Sequence, residues 1–504
     1  MSKRRKTGIL LHPTSLPSHY GVGDLGENAY TFIDEAAKAG VGLWQVLPLG
    51  PTGFGDSPYA ARSTFAGNEI LIDLKSLCMD GYLEIEDLLI PEVVTERVDY
   101  GKAKQVKMPL LRKAAKAFLE NMSDEEKLEW QFFEEEKGWW LDDYALYQSL
   151  CDEYNDSRWF YAWPEELRDR NAKALKEATA KHAEDIEIWK ALQFFFFKQW
   201  GELKQYANEN GIEIIGDIPI FVAPDSVDAW TNRKLLKINA QGEQEASSGV
   251  PPDAFSATGQ LWGNPLYKWK EHEKDGFKWW ISRMKETLVM CDIVRIDHFR
   301  GFEACWEVPA GEDTAMNGKW VKSPGEKLLK AMKEALGDDL PVIAEDLGII
   351  TPEVEALRDE FGFPGMKILE FAFYKNSKGE FDAANPYLPH NMIENSVAYT
   401  GTHDNNTVKG WYDEMDDEGR DFVRRYFECG DADVPRAMLR FLFMSNAMWA
   451  IVPMQDVLML GAEARMNVPS TCGSSNWSWF MKKEDLKSPN WGHIAYFNKL
   501  YGRC

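Results

Sequence analysis

Short runs of apolar residues recur along the chain, each followed by a segment in which apolar positions return every three to four residues. The runs are Gly8 to Leu11, Leu43 to Leu47, Ile212 to Ile215, Ile293 to Ile296, Pro341 to Ala344, Met366 to Leu369, Val397 to Tyr399 and Ala450 to Pro453. Continuous apolar runs of this length suit strands buried on both faces, as in a parallel sheet. The intervening segments predict helices over Ala29 to Ala39, Phe277 to Met290, Glu326 to Leu336 and Thr351 to Phe361, the last opening with Thr-Pro-Glu, an N-cap followed by Pro at the first helical position. Eight strand–helix units point to an α/β fold, a closed (β/α)8 TIM barrel in preference to an open doubly wound sheet.

The spacing is uneven. About 165 residues separate the second and third runs, far more than one crossover needs. The pattern predicts a largely helical insertion over 51–205, with helices over Val106 to Met122, Glu125 to Glu136, Trp140 to Leu150 and Glu165 to Glu187. Within it the Trp139-Trp140 pair, and near its end the Phe194 to Phe197 run, read as helix core. A second insertion over 223–275 is dense in Gly, Pro, Asn and Ser and reads as a long ordered loop. Loops that follow strand C-termini carry the active site of a barrel, so both insertions are expected to wall a cleft.

Composition narrows the function. A formal net charge of −24 over 504 residues disfavours nucleic acid and anionic membrane surfaces as partners. Seven scattered cysteines with no C-x-x-C spacing fit reduced thiols, and no apolar run reaches a signal-peptide core or a membrane span, so a cytoplasmic location is expected. Phosphate-loop, dinucleotide and zinc-protease motifs are absent from the sequence. Twenty Trp, 18 Tyr and 27 Phe exceed what a core alone calls for, and flat faces in loops suit stacking against sugar rings.

Candidate chemistry lies just past the strands. The fourth ends Arg295-Ile296-Asp297-His298, the fifth ends Ala344-Glu345-Asp346, and the seventh is followed by Gly401-Thr402-His403-Asp404-Asn405. Three carboxylates at three strand ends would converge on one face of the barrel. Glycosidic bond cleavage needs one ionised carboxylate and one protonated, about 5 to 5.5 Å apart in retaining enzymes. Arg295 shares a strand face with Asp297 and favours its ionised form, while a less polar setting would raise Glu345. Alternatives stay open for the neighbours. His298 and His403 fit either a site or a satisfied core, and Asp217 and Asp346 fit residues that support the reacting groups, or loop anchors, better than reacting groups.

At these residues the sequence resembles the amylomaltase, or disproportionating enzyme, family of 4-α-glucanotransferases, relatives of the α-amylases. The matching stretches are GDSPY from Gly55, GDIPIFV from Gly216, GVPPD from Gly249 with GQLWGNP from Gly259, RIDHFRG from Arg295, AEDLG from Ala344, GTHDN from Gly401 and EARMN from Glu463. They follow the family's order over nearly the whole chain. The resemblance implies a barrel without the separate C-terminal β-domain of amylases. It implies Asp297 as nucleophile, Glu345 as acid/base and Asp404 as the third carboxylate, helping the oxocarbenium-like transition state. Arg295, His298 and His403 are implied as donor-site clamps, with Tyr59 and Asp217 in the same pocket. The stretch Asp253 to Pro265, including Gln260, Trp262 and Asn264, is implied to lie over the acceptor side, with Trp262 either a stacking face or a plug that anchors the loop. Asn467 is implied in a loop facing it. No cofactor and no metal are implied, because the covalent intermediate forms on protein carboxylate alone. The implied partners are a maltooligosaccharide or starch- or glycogen-derived donor and a glucose or maltooligosaccharide acceptor. The sequence departs from the family at Ala60 (usually Gln), Glu69 (usually apolar or aromatic), Ser470 (usually Gly) and Phe480 (usually within Trp-Arg). Two rival readings share these residues: an α-1,4-glucan hydrolase, with water as acceptor, and a non-catalytic glucan-binding protein.

Overall fold

A computed structural model describes residues 4–252, 256–376 and 378–503. Eight parallel strands close into a barrel: β1 (Lys6–Leu10), β2 (Leu43–Gln45), β3 (Glu213–Ile218), β4 (Ile293–Ile296), β5 (Val342–Ala344), β6 (Gly365–Ile368), β7 (Ser396–Tyr399) and β8 (Trp449–Pro453), with β8 paired back to β1. Each coincides with one of the apolar runs. Nearly every strand residue is buried, as expected where helices cover one face of a sheet and the barrel fills the other.

Two registers bring charged residues together at the C-terminal rim. Asp217 on β3 lies opposite Arg295 on β4. Ile296 on β4 lies opposite Ala344 on β5, so Asp297 and Glu345 leave adjacent strands at one level.

Between β2 and β3 the chain forms three long helices, Tyr100–Asn121, Asp124–Tyr154 and Ala183–Glu209, with shorter ones between. Phe118 joins them, its ring 5.7 Å from Trp130 and 5.2 Å from Phe194. The two helices expected over Glu125 to Leu150 are one, started by a Ser123–Glu126 capping box. The pattern breaks at Lys137, but that side chain is buried against Glu286 at 2.7 Å, so the helix continues through it. The segment from Glu165 does the reverse and splits into Glu165–Arg168 and Ala172–Lys181 before the helix from Ala183. Trp140 is core, whereas Trp139 is 51% exposed, because neighbours on a helix point about 100° apart.

The segment after β3 is more than a loop. Ala246–Val250 and Gln260–Pro265 pair with each other, and the former pairs with Ala304–Pro309, which pairs with Lys319–Lys322, giving a four-stranded antiparallel sheet. Gly249 permits this pairing, since a Cβ there would lie 2.3 Å from the Gln260 carbonyl.

The ends of the chain close the barrel's N-terminal face. Arg503 donates to the carbonyls of Lys6, Phe443, Ser445, Ala447 and Met448, joining the start of β1 to the approach to β8. Arg5 donates to the carbonyls of Phe443 and Ser445 from the other side. No helix among the described residues is long and apolar enough to cross a membrane.

Candidate active site

The site is built where β3, β4, β5 and β7 end. Arg295 Nη1 donates to both oxygens of Asp217, at 2.8 and 2.6 Å, and Nη2 donates to Asp297 Oδ1 at 2.9 Å. Tyr59 Oη donates to Asp217 Oδ2 at 2.8 Å. Of the two roles expected for Asp217, supporting the reacting groups or anchoring a loop, the geometry matches the first: it orients Arg295. Burial pushes its carboxyl up and Asp297 adds to that, while Arg295 and Tyr59 hold it down. Every group that bonds it is a donor, so this geometry suits the ionised form. Burial opposes the Arg295 charge, yet Asp217, Asp297, Tyr59 and Glu345 together raise it well above its ordinary value.

Asp297 keeps its side chain 31% exposed, open to the cleft, with the guanidinium on one oxygen. Glu345 is likewise partly buried but has no guanidinium bonded to it. Burial, and then the Asp297 charge, push its carboxyl up to about 8, against Arg295 and the N–H groups of Leu347 and His298. Those two N–H groups donate to Oε1 at 2.9 Å and Oε2 at 2.7 Å. The second depends on His298 being left-handed, φ 53° and ψ 48°, a conformation uncommon for a residue with a Cβ. It turns the backbone N–H toward Glu345 directly after Asp297. Asp346 anchors the turn beyond, accepting from Met366 N–H at 2.7 Å and pairing with Arg358.

Both histidines lie at the cleft. Burial, with Arg300, drops His298 to about 3, so its ring is neutral, and its Nε2 has no partner among the described residues. Trp262 meets it edge-on at 4.8 Å and is 37% exposed, so its ring is a surface face and not a plug. His403 stacks on Tyr59 at 5.0 Å, with Nε2 3.5 Å from Asp404 Oδ1. Burial lowers its pKa, against the charge of Asp404. Asn467 Nδ2 donates to Asp404 Oδ1 at 2.6 Å, and Arg465 Nη2 donates to the Asp404 carbonyl at 2.7 Å. Asn467 therefore holds the Asp404 carboxylate in place.

On the facing strand, the amide of Asn264 is committed to the Val222 carbonyl at 2.9 Å, and Gln260 Oε1 accepts from Trp262 Nε1 at 3.3 Å. Pro265 is buried opposite Ser247. These residues shape the strand and steady Trp262. Asp253 lies outside the described residues.

The departures have local explanations. Glu69 is buried, accepts from Tyr144 Oη and from Gln193 Nε2 at 2.7 Å, and burial pushes it up to about 6. Ser470 sits at φ 62°, where Gly costs least. Phe480 packs on the small cluster of Val22, Ile70, Val98, Tyr100 and Ala103. Nothing in the structure explains Ala60.

Sequence reasoning missed Trp477, which packs at 5.6 Å on Tyr59 and 5.7 Å on His403. It also missed His12, Glu370 and Asp456, buried groups just past β1, β6 and β8. The strand-end rule that found Asp297 would have found these three, and a Trp inside the Ser- and Asn-rich stretch Gly473 to Ser478 was the signal for Trp477. Among the described residues no group of three or more His, Cys, Asp or Glu side chains is arranged to hold a metal ion.

Comparison with known proteins agrees with this geometry. A family model described as 4-alpha-glucanotransferase matches residues 11–485. The 4-alpha-glucanotransferase of Thermus thermophilus is 48% identical over 500 residues, 98% of this chain and 97% of the relative. The chloroplastic/amyloplastic 4-alpha-glucanotransferase of Solanum tuberosum is 44% identical over 94% of this chain and 82% of the relative. The structure of the Streptococcus agalactiae amylomaltase in complex with acarbose superposes with a TM-score of 0.94 at 39% identity, covering 99% of this chain and 100% of that one. With a family model spanning most of its length and near-half identity to relatives aligned end to end, the chain belongs to the 4-α-glucanotransferase family.

Proposed function

We propose that this protein transfers α-1,4-glucan segments from a donor maltodextrin to the 4-hydroxyl of an acceptor glucose or maltooligosaccharide by a retaining double displacement. The observation that carries this reading is the contrast between two carboxyls leaving adjacent strands at one level. Asp297 carries the Arg295 guanidinium on one oxygen, whereas Glu345, partly buried like it, meets only backbone N–H groups and is pushed up to about 8. Such a pair supplies a nucleophile and a proton donor at neutral pH. Asp297 attacks the anomeric carbon as Glu345 protonates the departing glycosidic oxygen, leaving a glycosyl ester on Asp297. Glu345, now ionised, deprotonates the acceptor hydroxyl, which displaces Asp297 and restores the starting configuration. Asp404, held by Asn467 and beside His403, stands to take donor-ring hydroxyls and the charge of the oxocarbenium-like transition state. The chain needs no cofactor for these steps.

Water competes for the same intermediate at about 55 M, and a bound acceptor wins when its effective molarity, up to about 10⁵ M or more, exceeds that. Trp262, partly exposed beside His298, offers the acceptor a stacking face. The six described cysteines are all free thiols, which supports a reducing, cytoplasmic setting. The test is incubation with maltotriose. Transfer gives glucose together with longer oligomers, and Asp297→Asn should lower this by orders of magnitude while remaining folded. Glucose and maltose alone would indicate hydrolysis, and a trapped glycosyl ester on another residue would remove Asp297 from the role.

A further inference from the structure

The loop that carries His403 and Asp404 leaves β7 after Tyr399 and regains regular structure in the helix Val408–Glu414. One carboxylate grips both of its ends. Asp456, just past β8 and 2% exposed, accepts from Thr400 Oγ1 on Oδ2 at 2.6 Å and from Val408 N–H on Oδ1 at 2.8 Å. The strand on the other side of β7 supplies a stop. Glu370, just past β6 and buried, donates its N–H to the Thr400 carbonyl at 3.2 Å. Its Oε1 lies 3.0 Å from where a Cβ on Gly401 would sit, and Asn405 Cβ lies 2.9 Å from that point, so the turn has no room for a side chain at 401. Within the loop, Asn405 Oδ1 accepts from Thr402 N–H and Oγ1, both at 2.9 Å.

A loop whose ends are bonded to one rigid acceptor has few ways to vary the reach of its apex. The side chain of Asp456 bonds the residue that opens the loop and the first N–H of the helix that closes it, so it fixes the distance between the two ends. We propose that Asp456 is a positioning residue for glucan transfer: by tying Thr400 to Val408, against the stop formed by Glu370, it sets how far Asp404 projects into the cleft. The proposal rests on the reading of Asp404 as the third carboxylate.

Because Asp456 would act through Asp404, its removal should matter only while Asp404 is present. Asp456→Ala, Asp404→Asn and the double variant are compared by kcat and KM for maltotriose disproportionation, after circular dichroism establishes folding. A misplacement of about 1 Å costs up to about 100-fold, so Asp456→Ala should lower kcat by about 10- to 100-fold with KM little changed, and should lower Asp404→Asn hardly further. An equal loss in the Asp404→Asn background, or a folded Asp456→Ala with unchanged kcat, would overturn the proposal while leaving Asp404's role intact. An Asp404→Asn enzyme at full rate would instead refute the reading of Asp404, and the clamp with it. If Asp456→Ala does not fold, Thr400→Val removes one of the two bonds without touching a charge. It should cost kcat severalfold in the native background alone, and unchanged kcat there overturns the proposal equally.

Discussion

Glu345→Gln should alter how stability depends on pH as well as remove the proposed acid. In the folded protein, burial and the Asp297 charge push Glu345 from 4.5 to about 8. Below 4.5 the folded and unfolded chains both hold the proton, and the group contributes nothing to the pH dependence. Between 4.5 and 8 the unfolded chain releases the proton while the folded one keeps it, so native stability falls as pH rises; above 8 the deficit is constant. Each pKa unit is about 1.36 kcal/mol, so from about pH 5 to pH 8 the native protein should lose about 4 kcal/mol that the Gln variant does not lose. The variant carries its own penalty. The N–H groups of His298 and Leu347 face the two oxygens, and an amide offers only one acceptor, at a cost of about 1 to 3 kcal/mol that does not vary with pH. The pH-dependent difference is therefore the signal, not the offset. An unfolding entropy of about 2.1 cal/mol/K per residue over 504 residues is about 1 kcal/mol/K, so the difference converts to about 4 °C in Tm. Paired thermal melts of the two proteins across that range measure it directly, because groups that titrate identically in both cancel. Melting temperatures that stay parallel to within about 1 °C would refute the assigned environment of Glu345.

The alkaline limb of kcat/KM for the native enzyme should fall near pH 8 as Glu345 loses its proton; Glu345→Gln assayed with a donor whose leaving group needs no protonation should form the glycosyl intermediate without that limb, and a limb that persists assigns it elsewhere. Trp262→Ala removes the exposed ring at the edge of His298, and the ratio of reducing ends released to glucosyl units transferred should rise severalfold; an unchanged ratio in a folded variant takes the ring out of acceptor binding. Arg503→Met leaves five carbonyls without a shared donor and should cost about 3 to 5 kcal/mol, or about 3 to 5 °C, with kcat unchanged at moderate temperature; a loss under about 1 °C would show that Arg5 and water replace it.

The barrel strands were legible because a strand buried on both faces has to be apolar throughout, a constraint that Ile293 to Ile296 or Val397 to Tyr399 display without reference to any partner. The small sheet was not. Ala246 to Ser248 are small or polar and become a strand by pairing with Gln260 to Pro265 on one side and Ala304 to Pro309 on the other, the latter some 60 residues away. The carboxylates divide along the same line. Asp297, Glu345 and Asp404 each follow an apolar run and stand beside His, Arg or a second acid, so a local rule places them at the rim. Glu370 and Asp456 obey the same rule but lack those neighbours, and what they hold, the two flanks of the β7 loop, is defined only once β6, β7 and β8 lie side by side. Asp217 shows the limit most directly. Read along the chain it is an acid before Ile-Pro, as suited to anchoring a loop as to supporting a reacting group; the register places it against Arg295 and so makes it the group that aims the guanidinium at Asp297. A slip of that register by a single residue would send Asp217 to the opposite face and leave Arg295 free to turn away. The ion pair on Asp297 is therefore determined by strand pairing as much as by the identity of the residue two positions before it.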